Sequence, residues 1–239
     1  MGQKVSLDID GGKMMAYLSL PESGRGPGLL VLPEIWSVNF HIKAATDYFA
    51  ALGYVALAPA LFWRLDSSGG EDTVNVYDDN GEEQAVANYF RFDEGLGLKD
   101  LAVVSRLLRD RPECTGKLGA VGYCFGGRMA FLTGVHNGID AAASLYPTFI
   151  ERCLDLAPRA TFPWSVHLPE VDPLESPEAQ TNILAAFKGH KSVEIHRYPG
   201  AEHGFDSDHA TAKHYSRWPS QLANSRIALF LDRHLGAES

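Results

Sequence analysis

The stretch Leu118-Gly119-Ala120-Val121-Gly122-Tyr123-Cys124-Phe125-Gly126-Gly127 decides how this chain is read. Small apolar residues lead up to Gly122, a cysteine follows two positions on, and from Gly126 to Thr133 the pattern is helical. A strand that passes straight into a helix turns within a few residues. The positions two before and two after the corner must then lack side chains so that the two elements can pack closely. Glycine stands at both, as Gly122 and Gly126. The corner residue is held in a tight, strained turn that exposes its side-chain nucleophile at the end of the sheet. A cysteine there lies against the amino end of a helix, whose partial positive charge favours both a thiolate and an oxyanion formed beside it. The Phe125 N–H is positioned to donate to that oxyanion. The alternative reading of Cys124 is a small apolar residue buried in a glycine-rich turn.

A nucleophile on such a corner calls for an acid and then a histidine further along the chain. Nine histidines are present. His203 lies in Tyr198-Pro199-Gly200-Ala201-Glu202-His203-Gly204-Phe205, just after the last predicted strand, where Gly200 and Gly204 let the loop bend. His196 falls within that strand, His136 and His190 near helix ends, and His209 and His214 in a polar segment. The acid is expected after the preceding strand, in Leu168-Pro169-Glu170-Val171-Asp172-Pro173. Asp172 is the candidate, with Glu170 its rival and an Asx-turn acceptor its other reading. The second oxyanion donor is expected from Leu32-Pro33-Glu34-Ile35-Trp36, as the Ile35 N–H. Glu34, an acid among apolar residues, reads either as an exposed loop carboxylate or as a partly buried one facing Cys124 and able to take its proton.

Outward from these motifs, short apolar runs alternate with helical patterns, which predicts an α/β fold. Val5–Ile9 and Met15–Leu20, joined through Asp10-Gly11-Gly12, read as a hairpin. Gly28–Leu32, Val55–Ala58, Leu118–Gly122, Ala141–Leu145, Phe162–His167 and Val193–Tyr198 read as strands. Ile42–Leu52, Glu82–Phe92, Leu96–Arg109, Ser176–Lys188 and Gln221–Leu235 read as helices, with Ser176 as an N-cap and Pro177 at the first helical position. Residues 64–81 are polar and predict a long surface excursion; 148–160 reads as a crossover. No composition break divides the chain, so residues 1–239 are expected to form one domain.

The 239 residues carry a net charge of −9, which disfavours nucleic acid as a partner. No apolar run approaches the ~18–20 residues of a membrane span, and no signal peptide is visible at the start. Met1-Gly2-Gln3-Lys4-Val5-Ser6 fits only the loose myristoylation pattern. Three cysteines, an odd number without metal-ligand spacing, suit a reducing cytoplasm and predict neither a disulfide framework nor a metal or other cofactor.

Taken together, Pro33-Glu34-Ile35-Trp36, Gly122 through Gly127, Asp172-Pro173 and Tyr198 through Phe205 resemble the dienelactone hydrolase family of α/β-hydrolases; Arg226–Leu235 resembles its closing helix. The resemblance implies the α/β-hydrolase fold, a mostly parallel central sheet with helices on both faces. It also implies a Cys124–His203–Asp172 triad cleaving a small ester or lactone, and a Glu34 that accepts the Cys124 thiol proton when substrate binds. Dienelactone-cleaving members hold a substrate carboxylate with two arginines. The matching positions here are Glu82 and Ser207, so a substrate other than dienelactone is expected. Arg64 is the best placed of Arg64, Arg91 and Arg217 to substitute, Trp36 and Tyr146 are among the aromatics that could line a bulkier pocket, and Glu82, in the arginine's place, is a further substrate-binding candidate. A monomer or small homo-oligomer is expected. The competing classes are a ligand-binding scaffold with little turnover and a thiol redox sensor. An intact triad argues against the first, and the lack of a C-x-x-C relation argues against the second.

Overall fold

Asp10-Gly11 turns the chain back on itself in two residues, Gly11 taking a φ of 92°, so β1 (Gln3–Ile9) and β2 (Gly12–Ser19) pair from Ile9↔Gly12 to Gln3↔Leu18. This hairpin begins an eight-stranded sheet in a computed structural model that describes residues 2–65, 79–207 and 214–236. The remaining strands are β3 (Gly26–Leu32), β4 (Val55–Pro59), β5 (Cys114–Tyr123), β6 (Ala141–Leu145), β7 (Trp164–Val171) and β8 (Val193–Glu202). Their spatial order is β1-β2-β4-β3-β5-β6-β7-β8. β2 runs against both β1 and β4, and every pairing from β4 through β8 is parallel. The result is the α/β-hydrolase sheet, with β2 alone reversed.

The helices are α1 (Phe40–Ala51), α2 (Asp79–Arg91), α3 (Glu94–Arg109), α4 (Phe125–Asn137), α5 (Pro177–Ala186) and α6 (Arg217–Leu235). They cover both faces, as two adjacent glycine sites show. A Cβ on Gly28, which pairs with Leu118, would meet Leu108 of α3. A Cβ on Gly119, one residue on and so on the opposite face, would meet Leu235 of α6. Burial on both sides explains why β3 and β6 are buried along their whole length and apolar almost throughout. The edge strands β1 and β8 are partly exposed.

Side-chain caps start three helices: Asn39 Oδ1 accepts the Ile42 N–H, Asp93 Oδ1 the Leu96 N–H, and Ser176 Oγ the Ala179 N–H. α6 begins four residues before the expected Gln221, because Pro219 falls in its first turn, where a missing N–H leaves no intrahelical bond unmade. β5 begins at Cys114 instead of Leu118, its first residues being too exposed to read as an apolar run. The 148–160 crossover contains a 3₁₀ run, Ile150–Arg159. The excursion read over 64–81 lies mostly outside the described residues, as does His209.

Candidate active site

Parallel strands end on the same side of a sheet, and the functional loops of an open α/β sheet gather there. Glu34–Trp36 follow β3, Cys124 follows β5, Asp172 follows β7 and His203 follows β8. The corner at Cys124 is strained, with φ 54° and ψ −118°, a region costly for a residue with a Cβ. Its backbone is tied down on both sides: its N–H donates to Leu145 O at 3.0 Å, and its carbonyl accepts the Gly127 N–H at 2.9 Å and the Thr148 N–H at 3.2 Å. A Cβ on Gly122 would lie 2.0 Å from the Gly126 carbonyl oxygen, and one on Gly126 would lie 2.1 Å from Leu32 O. Neither position has room for any side chain, which is the steric demand anticipated at the corner. Cys124 occupies the N-cap of α4 without a capping side-chain bond. The Phe125 N–H opens the helix, where no carbonyl lies four residues back to accept it within the helix.

His203 Nδ1 donates to Asp172 Oδ2 at 2.9 Å, and the His203 N–H donates to Val171 O. Asp172 Oδ1 accepts the Leu174 N–H at 2.8 Å, so Asp172 is the Asx-turn acceptor and the histidine partner at once, one oxygen for each. Glu170 turns elsewhere, its Oε2 accepting the Gly200 N–H and tethering the loop ahead of the histidine. Burial pulls the His203 pKa down, but the charge Cys124 carries as a thiolate, together with the Asp172 carboxylate and its hydrogen bond, outweighs it and raises it to about 10. His203 lines the same cleft as Cys124, and its Nε2 makes no hydrogen bond among the described residues. The Tyr146 ring packs edge-on against it at 5.2 Å.

A cleft of about 750 Å³ opens over these groups. Glu34, Ile35, Trp36, Cys124, Asp172 and His203 line it, with Val171, Pro173 and Pro177 as apolar wall. Glu170, Glu202, Ser207 and His214 also line it, and His214 Nδ1 is hydrogen-bonded to Glu202. Glu34 is 2% exposed, the buried alternative of its two readings. Beside it lies His41, equally buried, with Nδ1 3.7 Å from Glu34 Oε2 and Nε2 3.6 Å from Asp206 Oδ2. Tyr123, Asp206 and His41 reach a second hollow of about 700 Å³ between α1 and α6, away from Cys124.

Of the four expected substrate contacts, three do not line the cleft. Arg64 is bound to Asp100 by Nε at 2.8 Å and Nη2 at 2.7 Å, and Nη2 also reaches Asp10 O at 2.6 Å. A bidentate carboxylate and a carbonyl hold its Nε and Nη2, so it clamps the hairpin turn to α3 instead of lining the cleft. Glu82 is exposed on α2 and does not line the cleft. Trp36 lines it, and Tyr146 is fully buried behind His203. Among the described residues no arginine or lysine lines the cleft. No group of three or more potential metal ligands is clustered among them either, and no helix among them is long and apolar enough to cross a membrane.

The His41–Asp206 pair escaped sequence reasoning. The signal was present for His41: α1 buries positions 41, 42, 45, 46, 49 and 50, so an ionisable residue stands on its apolar stripe, while Phe40 beside it is 70% exposed. Nothing local pointed to Asp206.

Residues 14–235 match the dienelactone hydrolase family. A relative named "Putative carboxymethylenebutenolidase" from Azospirillum brasilense is 33% identical, over 95% of this chain and 96% of its own. A carboxymethylenebutenolidase of Pseudomonas putida is 28% identical, over 93% and 92%. Among solved structures, a "Putative Dienelactone Hydrolase" from Klebsiella pneumoniae subsp. pneumoniae MGH 78578 superposes with a TM-score of 0.83 at 22% identity, covering 98% of each chain.

Proposed function

This chain belongs to the dienelactone hydrolase family and is a hydrolase, and from that premise we propose that it cleaves small, uncharged carboxylic esters or lactones through Cys124, His203 and Asp172. The observation that carries the proposal is His203 bound to Asp172 Oδ2 at 2.9 Å in the cleft that Cys124 lines, behind a corner that only glycine neighbours permit.

In the proposed cycle Glu34 takes the Cys124 thiol proton as substrate enters, and the thiolate attacks the carbonyl carbon. The carbonyl oxygen becomes an oxyanion facing the Ile35 and Phe125 N–H groups. As the tetrahedral adduct collapses, the C–O bond breaks and the His203 imidazolium gives its proton to the departing alkoxide. The neutral imidazole then takes a proton from water, whose oxygen attacks the thioester. The second collapse releases the acid and the thiolate, and Glu34 returns the proton to sulfur. Asp172 keeps the Nδ1 proton in place, so that Nε2 performs both transfers. Asp172 beside Nδ1 supports this order, because its carboxylate favours the imidazolium needed when the leaving group departs.

Four carboxyl side chains line the cleft, from Glu34, Glu170, Asp172 and Glu202, and no guanidinium is among the described lining residues. That sign of charge supports a neutral substrate over a carboxylated one. Purified protein is expected to hydrolyse p-nitrophenyl acetate, and Cys124→Ala to abolish turnover with an unchanged circular dichroism spectrum. Turnover retained in that variant refutes the nucleophile.

A further inference from the structure

Behind Glu34, three ionisable side chains line up in the interior. Glu34, His41 and Asp206 are 2%, 5% and 8% exposed. Each ring nitrogen of His41 faces a different carboxylate, Nδ1 toward Glu34 Oε2 at 3.7 Å and Nε2 toward Asp206 Oδ2 at 3.6 Å. A neutral imidazole has one N–H, so one carboxylate would then face a ring lone pair. Only the imidazolium offers a donor to both. The far end of the line is anchored, since Asp206 Oδ1 accepts Ser220 Oγ at 2.5 Å and Asn224 Nδ2 at 2.6 Å, both on α6. The near end reaches the reaction cleft, where Glu34 lines the wall with Cys124.

We propose that His41 is a positioning residue for Glu34: bridged between Glu34 and Asp206, it keeps the Glu34 carboxylate ionised and fixed beside Cys124. The proposal rests on the reading of Glu34 as the acceptor of the thiol proton. A carboxylate this buried is disfavoured in its charged form unless a cation compensates it, and His41 supplies that cation. Burial works against the charge on His41, but Glu34 and Asp206 overcome it and raise its pKa to about 10. The other titratable groups facing the cluster are tyrosines. Tyr123, at the end of β5, packs edge-on to the His41 ring at 4.9 Å; Tyr146 after β6 feels both carboxylates; Tyr48 of α1 and Tyr215 share the hollow with Asp206. Burial and the nearby carboxylates push Tyr48, Tyr123 and Tyr146 above 10, so they stay neutral while the cluster works. Net charge on the three-residue line is then one negative, delivered to Glu34 as usable basicity.

The test is the pH dependence of thiol formation. Glu34 accepts a proton only when ionised, so Cys124 reactivity falls as pH drops through the Glu34 pKa. Removing the cation raises that pKa, typically by one to three units for a close opposite charge, and moves the acidic limb to higher pH. In His41→Gln the acidic limb of iodoacetamide alkylation at Cys124, and of kcat/KM on p-nitrophenyl acetate, is expected to rise by about one pH unit or more. That is roughly a tenfold loss at the foot of the limb, with recovery at higher pH. The same substitution made in Glu34→Gln should shift nothing further. An unmoved limb in a folded His41→Gln, or a shift that persists without Glu34, overturns the proposal while leaving Glu34 as proton acceptor. Wild-type rates and profile in Glu34→Gln overturn that underlying reading instead. Should His41→Gln fail to fold, Asp206→Asn decides the same question. The amide keeps an oxygen for Ser220 and Asn224 but withdraws the second negative charge, so the imidazolium serves Glu34 alone and the limb must move to lower pH; a limb that stays put overturns the proposal.

Discussion

Replacing Asp172 with asparagine isolates one atom of the proposed triad. In the native site Oδ1 accepts from Leu174 N–H at 2.8 Å and Oδ2 from His203 Nδ1 at 2.9 Å. The amide oxygen of the substituted side chain can keep the Leu174 bond, which holds the turn after β7. Its NH2 group then faces Nδ1, and a donor cannot serve a donor, so the neutral imidazole is driven to the tautomer with its proton on Nε2. That nitrogen can no longer take a proton from water. The imidazolium also loses a counter-charge worth about 6 kcal/mol at 2.9 Å and an effective dielectric of ~20. Roughly four decades of rate correspond to that energy, and the known cost of this change in a serine triad is also ~10⁴-fold. The assay is kcat/KM on p-nitrophenyl acetate from pH 5 to 9, with circular dichroism to show that the turn survives. Glu170→Gln is the control, since Glu170 only tethers Gly200; it is expected to stay within about tenfold of wild type, the loss of one ~1.5 kcal/mol hydrogen bond at most. A mild Asp172→Asn beside a severe Glu170→Gln would refute the assignment of the acid.

Gly126→Ala places a Cβ 2.1 Å from Leu32 O, so β3 and the Glu34 loop must move; a loss of about 1–3 kcal/mol, several degrees in Tm, is expected together with a fall in kcat, and an unchanged thermal melt contradicts it. Glu175, buried against Glu151, has its pKa raised by burial first and then by the Glu151 hydrogen bond and charge, from 4.5 to about 9. The stability this proton supplies is fully present below about pH 4.5 and is lost as pH rises through about 9, so Glu175→Gln should flatten Tm against pH and gain on the wild type above neutrality; parallel curves would count against it. Arg64→Ala should lower stability by up to ~3 kcal/mol by leaving buried Asp100 with Trp63 Nε1 as its remaining side-chain donor, yet leave the kcat/KM ratio of neutral to carboxylated esters unchanged, whereas Ser207→Arg, inside the cleft, should move that ratio toward the anion. A change of that ratio in the Arg64 variant would return the guanidinium to substrate binding.

Steric logic made much of this molecule legible one residue at a time. Gly122, Cys124 and Gly126 announce a corner because the constraint they satisfy lies within five consecutive residues, and the Cβ distances at the two glycines restate it in ångströms. The apolar runs that became β3, β4 and β6 were readable for a similar reason, since parallel strands buried on both faces need no alternation. Placement of His203 and Asp172 followed from chain order on that sheet. What remained open there was a choice between two carboxylates two residues apart, which depends on the direction in which each side chain leaves β7 as it ends.

The charged partners were decided by tertiary structure alone. Arg64 stood beyond the carboxyl end of a strand, as a substrate-binding residue would, but Asp100, 36 residues on, captured its Nε and Nη2. His41 and Asp206 stand 165 positions apart in the chain and meet only because α1 and the loop after β8 close over the same end of the sheet. Periodicity and spacing report which face a residue occupies. They carry no information on which charge will stand opposite it, because a buried ion pair is selected by the distance between elements that only the packed sheet brings together.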